Sequence, residues 1–359
     1  MPRNIVVCCD GTGNQFGSCN SNVVQLYSVL EFDPDRQVAF YAPGLGTMGA
    51  PNALTKTAQA LTRLLGLAFG YGLTKHLSDA YIFLMNHYRP DDRVFLFGFS
   101  RGAYTVRALA GLLHMYGLIR RGDEVLAPYA LRMFKHRHRD TFRLAREFKA
   151  TFSQTCKPHF MGVWDTVSSV GWIYNPVKLP YTAHNPDLST GRHAVSIDER
   201  RSYYRQNLWG PAPGQDLKQV WFAGAHSDIG GGYPEAESGL AKITLEWMIR
   251  EARQAHLLVN QARLNRVLGR DGGGLTAPDP EAMLHHSLKG AWCLLEFWPK
   301  RYVDVAHEPP VVRWRIPLGR PRRILEPALI HESALRRREL LGVKYQPANL
   351  PPDYQVEPG

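Results

Sequence analysis

Ser100 stands at the centre of Gly98-Phe99-Ser100-Arg101-Gly102, a Gly-x-Ser-x-Gly spacing that can present a hydroxyl as a nucleophile. A serine needs a base to take its proton, and the base needs an acceptor to fix its tautomer and stabilise its charged form. Two later segments offer those groups. Asp165 ends the apolar run His159 to Trp164, and His226 opens the glycine-dense stretch Gly224-Ala225-His226-Ser227-Asp228-Ile229-Gly230-Gly231-Gly232-Tyr233. Asp228 is a second acid, too close in sequence to aim readily at His226, and His331 in Ile330-His331-Glu332-Ser333 is a rival base. The chemistry implied is attack on an ester carbonyl, an acyl-enzyme, and its release by water.

The developing oxyanion of such a reaction needs backbone donors. The N–H of Arg101, at the start of the following helix, is one candidate, helped by the positive end of the helix dipole. The loop Asp10-Gly11-Thr12-Gly13-Asn14 offers Gly11 or Thr12 as the other, with Asp10 tying the loop down. That loop also fits a phosphate cradle, which keeps phosphoryl transfer open as an alternative. The aspartate phosphatases place a nucleophilic aspartate two residues upstream, where this chain has Cys8. His136-Arg137-His138-Arg139-Asp140 has metal-ligand residue types, but its interleaved arginines oppose a cation, so neither metal nor another cofactor is expected. A non-catalytic lipid- or protein-binding module on the same scaffold is the third reading, since fold does not guarantee chemistry.

The elements around these residues must position them. Strand signals cover Asn4 to Cys9, Gln37 to Tyr41, Arg93 to Phe97, His159 to Trp164 and Gln219 to Ala223, with helical patterns between several of them. Leu73, Leu77, Ala80, Tyr81 and Leu84 mark one face of a helix over Leu73 to Tyr88. Ala103, Val106, Ala110 and Leu113 mark another directly after Ser100. Gly98 and Gly102 suit the strained turn between strand and helix, where a Cβ would obstruct closure. This rhythm predicts an α/β fold with a mostly parallel central sheet, helices on both faces, and the chemistry at the carboxyl edge of the strands.

One α/β unit over residues 1–359 is expected, with cap insertions at 120–156 and 172–216 and a peripheral C-terminal region over 244–359. The first insertion is basic and helical. The second includes a polar helix-like stretch from His193 to Arg205. Leu245 to Leu268 reads as one long helix, Val311 to Ile316 as a peripheral strand, and the proline-rich tail from Pro347 as irregular.

The 359 residues are 44% hydrophobic and 21% charged, ordinary values for a globular protein. A formal charge of +11 suits peripheral contact with an anionic membrane. No zinc-finger spacing, aromatic RNA-binding pattern or basic region with heptads accompanies it, so a nucleic-acid partner is not expected. Five cysteines, two of them adjacent at Cys8 and Cys9, do not form a paired framework and suit reduced thiols in the cytoplasm. Met1-Pro2-Arg3 leads directly into the first strand signal without a signal-peptide pattern, and the apolar run Leu64 to Leu73 is too short to cross a bilayer. Any export would use a signal-independent route.

Six ordered blocks carry a resemblance: CCDGTGN at 8–14, YAPGLGT at 41–47, GFSRGAYTVRALAG at 98–111, GVWDTVSSVG at 162–171, HAVSIDERR at 193–201 and AHSDIGGGY at 225–233. In these the chain resembles the DUF2235 family of α/β-hydrolases, which includes the Tle1-like phospholipase effectors of type VI secretion. The resemblance implies a triad of Ser100, Asp165 and His226, and an ester hydrolase of lipase or phospholipase type with an ester or phospholipid substrate. These are the residues that position alone selects.

Overall fold

The computed structural model describes residues 2–11, 14, 16–44, 69–135, 140–167, 171–172, 175–176, 179–304 and 311–359. Thr12 and His136 to Arg139 lie outside the described residues, as does the start of the apolar run from Leu64.

Eight strands build the central sheet: β1 (Asn4–Cys9), β2 (Gln37–Ala42), β3 (Arg93–Phe99), β4 (Pro158–Trp164), β5 (Thr190–Ser196), β6 (Asp216–Phe222), β7 (Ala328–His331) and β8 (Tyr354–Glu357). Their spatial order is β8-β7-β6-β5-β4-β3-β1-β2, and every neighbouring pair is parallel. The helices are α1 (Asn22–Val29), α2 (Phe69–His87), α3 (Ser100–Tyr116), α4 (Ala127–Lys135), α5 (Thr141–Phe152), α6 (His226–Gly230), α7 (Gly239–Gln254), α8 (Gln261–Val267), α9 (Ala291–Leu295) and α10 (Glu332–Leu341).

The burial of β1 explains why its sequence reads as continuous apolar residues rather than an alternation. Ile5, Val7 and Cys9 enter a core with Leu77, Tyr81 and Leu84 of α2 and with α3. Val6 and Cys8 enter a second core with Leu26 of α1, Trp247 of α7 and Leu264 of α8. Helices therefore cover both faces, and the strands' carboxyl ends share one edge, where parallel sheets place their ligands.

Several expectations need correction. The polar stretch around His193 is strand, not helix: β5 lies inside the sheet, between β4 and β6. Its polar residues are buried with partners, which hides the strand from a hydrophobicity pattern. Arg192 meets Glu251 at 2.5 Å and Asp216 at 2.7 Å, while His193 Nε2 accepts Thr166 N–H at 3.1 Å. The segment 172–216 is therefore partly sheet rather than cap alone.

The insertion over 120–156 is helical, but α4 and α5 pack along α2 and α3 instead of over the elbow. Phe134 and Phe148 meet Tyr116, the last residue of α3 and the end remote from Ser100. The single helix read over Leu245 to Leu268 is two, broken where His256 takes φ +75°.

The C-terminal region is not peripheral throughout, because β7 and β8 extend the central sheet. Among the described residues of this region, the hairpin of Lys300–Asp304 with Val311–Arg315 forms a separate two-stranded sheet. The tail beyond Pro347 includes β8, whose Glu357 accepts from Trp247 Nε1 and Lys218 Nζ, each at 3.0 Å.

Candidate active site

Ser100 is the first residue of α3 and has φ +57°, in the left-handed region that non-glycine residues enter at a cost. The turn needs space on both sides. A Cβ on Gly98 would lie 2.6 Å from the Gly102 carbonyl oxygen, and one on Gly102 would lie 2.1 Å from the Cys9 carbonyl oxygen. The elbow thus presses against the end of β1, close to where the strand order reverses between β1 and β3.

Ser100, Asp165 and His226 come together. Asp165 follows β4, and His226 opens α6 beyond β6. His226 Nε2 is 2.8 Å from Ser100 Oγ, and its Nδ1 is 2.5 Å from Asp165 Oδ2. An ionised carboxylate only accepts, so Nδ1 carries the proton and Nε2 is left to accept the serine hydroxyl. Asp165 is fully buried, Ser100 and His226 are 4% exposed each, and the rings of Phe99 and Tyr204 lie 4.7 Å from the imidazole.

Burial raises the cost of ionising Asp165, but the Arg322 guanidinium and the His226 hydrogen bond outweigh it. Its carboxyl is held well below the usual carboxylate range. Burial lowers the His226 imidazole below its ordinary value, against the opposing pull of Asp165 and Glu199. Such a histidine is neutral near pH 7, the state a general base requires.

Two contributors escape a reading of the sequence. Arg322 Nη1 is 2.5 Å from Asp165 Oδ1 and Nη2 is 3.0 Å from Oδ2. Glu199 accepts the His226 backbone N–H at 3.2 Å and is paired with Arg201 at 2.8 Å. Glu199 stands inside the HAVSIDERR block, which could have drawn attention to it. Arg322, in Arg320-Pro321-Arg322-Arg323, has no periodic or motif signal and looks like solvated surface.

The remaining candidates separate. Asp10 anchors its loop, accepting from Gly11 N–H at 2.6 Å, Ser21 Oγ at 2.7 Å, Tyr41 Oη at 2.8 Å and Asn14 Nδ2 at 3.3 Å. The Gly11 amide is therefore already engaged by Asp10. Asp228 turns away from His226 and meets His285 Nδ1 at 2.6 Å, while His285 Nε2 meets Glu237 at 2.9 Å. The HSDIGGGY loop is thereby fastened to the C-terminal region. His331 is an N-cap, bonded to Ser333 at 2.9 Å, and its ring stacks on Phe222. It does not meet Ser100. Among the described residues no group of three or more His, Cys, Asp or Glu side chains could hold a metal ion.

A family model described as the catalytic domain of the Tle1-like phospholipase effector of type VI secretion matches residues 3–251. The chain belongs to this Tle1-like family. It is 37% identical over 228 residues to the uncharacterized protein YEL023C of Saccharomyces cerevisiae, covering 59% of this chain and 33% of that relative. The chain thus spans about a third of the length of this curated relative. Among solved structures, an uncharacterized protein from Pseudomonas aeruginosa aligns with a TM-score of 0.42 at 18% identity, over 72% of this chain and 46% of that one. The Tle1 effector bound to the VgrG spike of the type 6 secretion system aligns with a TM-score of 0.36 at 19% identity, over 67% of this chain and 52% of that one. Arg322 lies beyond the part of this chain that the Tle1-like model matches.

Proposed function

We propose that this Tle1-like chain is a serine hydrolase of carboxylic esters, acting on a lipid or phospholipid acyl ester. The observation that carries the reading is the continuous hydrogen-bonded line from Ser100 Oγ through His226 to Asp165, at 2.8 and 2.5 Å. Ser100 Oγ attacks the ester carbonyl carbon while His226 Nε2 takes its proton. His226 then protonates the leaving alcohol as the tetrahedral adduct collapses to an acyl-enzyme. Water enters, gives a proton to Nε2 and attacks the acyl carbon, and the carboxylic acid leaves as the proton returns to Ser100.

Asp165 holds Nδ1–H and offsets the positive charge on the transient imidazolium. The Arg101 N–H, at the positive end of α3, is the first oxyanion donor. With the Gly11 amide bonded to Asp10, Thr12 is the candidate for the second. Membership of a phospholipase effector family supports the lipid class, and the net charge of +11 suits a substrate presented on an anionic membrane surface. No described helix is long and apolar enough to cross a membrane, and contact with that surface would be peripheral.

The test treats wild type and Ser100→Ala with a fluorophosphonate probe, alongside hydrolysis of p-nitrophenyl esters and of phospholipid vesicles with and without anionic lipid. Labelling and turnover should vanish together in the variant. Turnover surviving in folded Ser100→Ala would end the reading.

A further inference from the structure

Arg322 reaches the site from a segment distant in sequence from the triad, and both of its terminal nitrogens are engaged. Besides its two bonds to Asp165, its Nη1 donates to the Ser196 carbonyl at 3.3 Å and its Nη2 to the Tyr204 carbonyl at 2.6 Å. Its own carbonyl accepts Asn349 Nδ2 at 3.0 Å, and the same nitrogen donates to the Ile197 carbonyl at 3.0 Å. The arginine is 8% exposed. Asp165 Oδ1 also accepts Ser196 N–H at 3.1 Å, so each carboxylate oxygen has two donors and the group cannot rotate without breaking several bonds at once.

A guanidinium fork fixes both oxygens of a carboxylate in one plane, whereas an ammonium acts as a point charge. Oδ2 is shared between Arg322 and His226, so the plane that the fork selects also sets the direction in which Nδ1–H must point. We propose that Arg322 is a positioning residue for the hydrolysis assigned to Ser100, His226 and Asp165, fixing the Asp165 carboxylate and tempering the negative charge that His226 meets. This rests on the triad reading above.

The other charges around the imidazole do not duplicate that role. From the loop after β5, Glu199 and Arg201 face it as an opposed pair. On its own helix, Asp228 is bound by His285, and on α3 Arg101 follows Ser100 in sequence. Behind Asp165 stand His193, which burial holds low at about 3, and the buried Arg107. Removing Arg322 leaves the Asp165 charge less offset, so the imidazolium is favoured and His226 takes its proton at a higher pH. The acid limb of kcat/KM must then move upward. A side chain that only supported the fold would lower activity or stability without moving that limb.

Arg322→Gln and Arg322→Lys, compared with wild type on a p-nitrophenyl ester across pH with parallel fluorophosphonate labelling of Ser100 and circular dichroism, test this. In the glutamine variant kcat should fall about 10- to 100-fold with KM little changed, and the acid limb should rise by about half to one pH unit. The lysine variant should keep the limb near wild type while losing kcat several-fold. A folded glutamine variant with wild-type kcat and pH profile, or one whose rate falls with the limb unmoved, overturns the proposal. Should the glutamine variant fail to fold, the lysine variant decides: unchanged kcat there overturns it equally. A wild type that neither turns over nor labels at Ser100 would instead remove the triad reading beneath it.

Discussion

Ser100 Oγ and His226 Nε2 lie 2.8 Å apart although 126 residues separate them in sequence. They follow β3 and β6, and β4 and β5 stand between those strands. At about 4.8 Å per strand spacing, the two strand ends are on the order of 14 Å apart. The loop beyond β6 must therefore fold back across the sheet edge, and Gly224 at φ +125° supplies that turn. Asp165, at the end of the intervening β4, meets the histidine on its way back.

Substitution of the serine separates chemistry from backbone strain. Ser100→Ala should lower kcat by at least about 10³-fold while the urea midpoint stays near that of wild type. Ser100→Gly should be equally inactive but more stable than Ser100→Ala by up to about 1 kcal/mol, because only glycine relaxes at φ +57°. Equilibrium unfolding of the two variants side by side measures the difference, and equal stabilities would contradict it.

Gly102→Ala tests the closeness of the elbow to β1. Its added methyl would press on the Cys9 and Asp10 carbonyl oxygens, at 2.1 and 2.5 Å, and backbone at a strand end cannot yield as a side-chain tip does. A loss of about 1–3 kcal/mol is expected from the overpacking, together with a loss of kcat as Ser100 moves off His226. Thermal unfolding and turnover on one preparation check both.

The parts of this design that were legible in sequence are those whose signal is local. β1, β3 and β4 are buried on both faces and read as apolar runs, and the residue after β3 or β4 is then chemically prominent. β5 was not legible because Arg192, His193 and Ser196 are polar side chains satisfied by partners far along the chain, such as Glu251 and Gly224. For Arg322 the limit is of the same kind: what makes it important is Asp165, 157 residues away. The two-residue agreement of Ser100 with His226 was reachable through chain order; the guanidinium behind Asp165 was not.

Buried neutral histidines set the acid stability of the fold. Burial holds His193 at about 3 and His331 at about 4, against about 6.5 in an unfolded chain. Both folded values are depressed, so the unfolded chain takes up protons first. Their stability is present above pH 6.5 and is lost as pH falls toward the folded values. Between pH 7 and 5 each should remove about 2 kcal/mol. Asp165 changes nothing in that window, because its stabilisation is lost only below the ordinary carboxylate range. Urea unfolding at the two pH values should show a fall in stability that is smaller in His193→Gln than in wild type by about 2 kcal/mol. Equal falls in the two proteins would contradict the assignment.

Activity should persist to lower pH than an ordinary imidazole permits. Burial, the largest influence on His226, favours its neutral form despite Asp165. The acid limb of kcat/KM should therefore have its midpoint below about 6.5, measured with a soluble ester so that vesicle charge does not intrude. A midpoint above that value would mean that the carboxylates govern the imidazole instead.

From β3 outward the spatial sequence β3, β4, β5, β6, β7, β8 repeats the order of the chain itself. A ribosome releasing the protein from its N-terminus can thus lay each new strand against an edge already formed, with no earlier pairing to undo. Serine, aspartate and histidine all emerge before the arginine that locks the carboxylate. In a nascent chain the three can meet while the fourth is still being made, so full competence waits for a segment that follows the triad in order of synthesis.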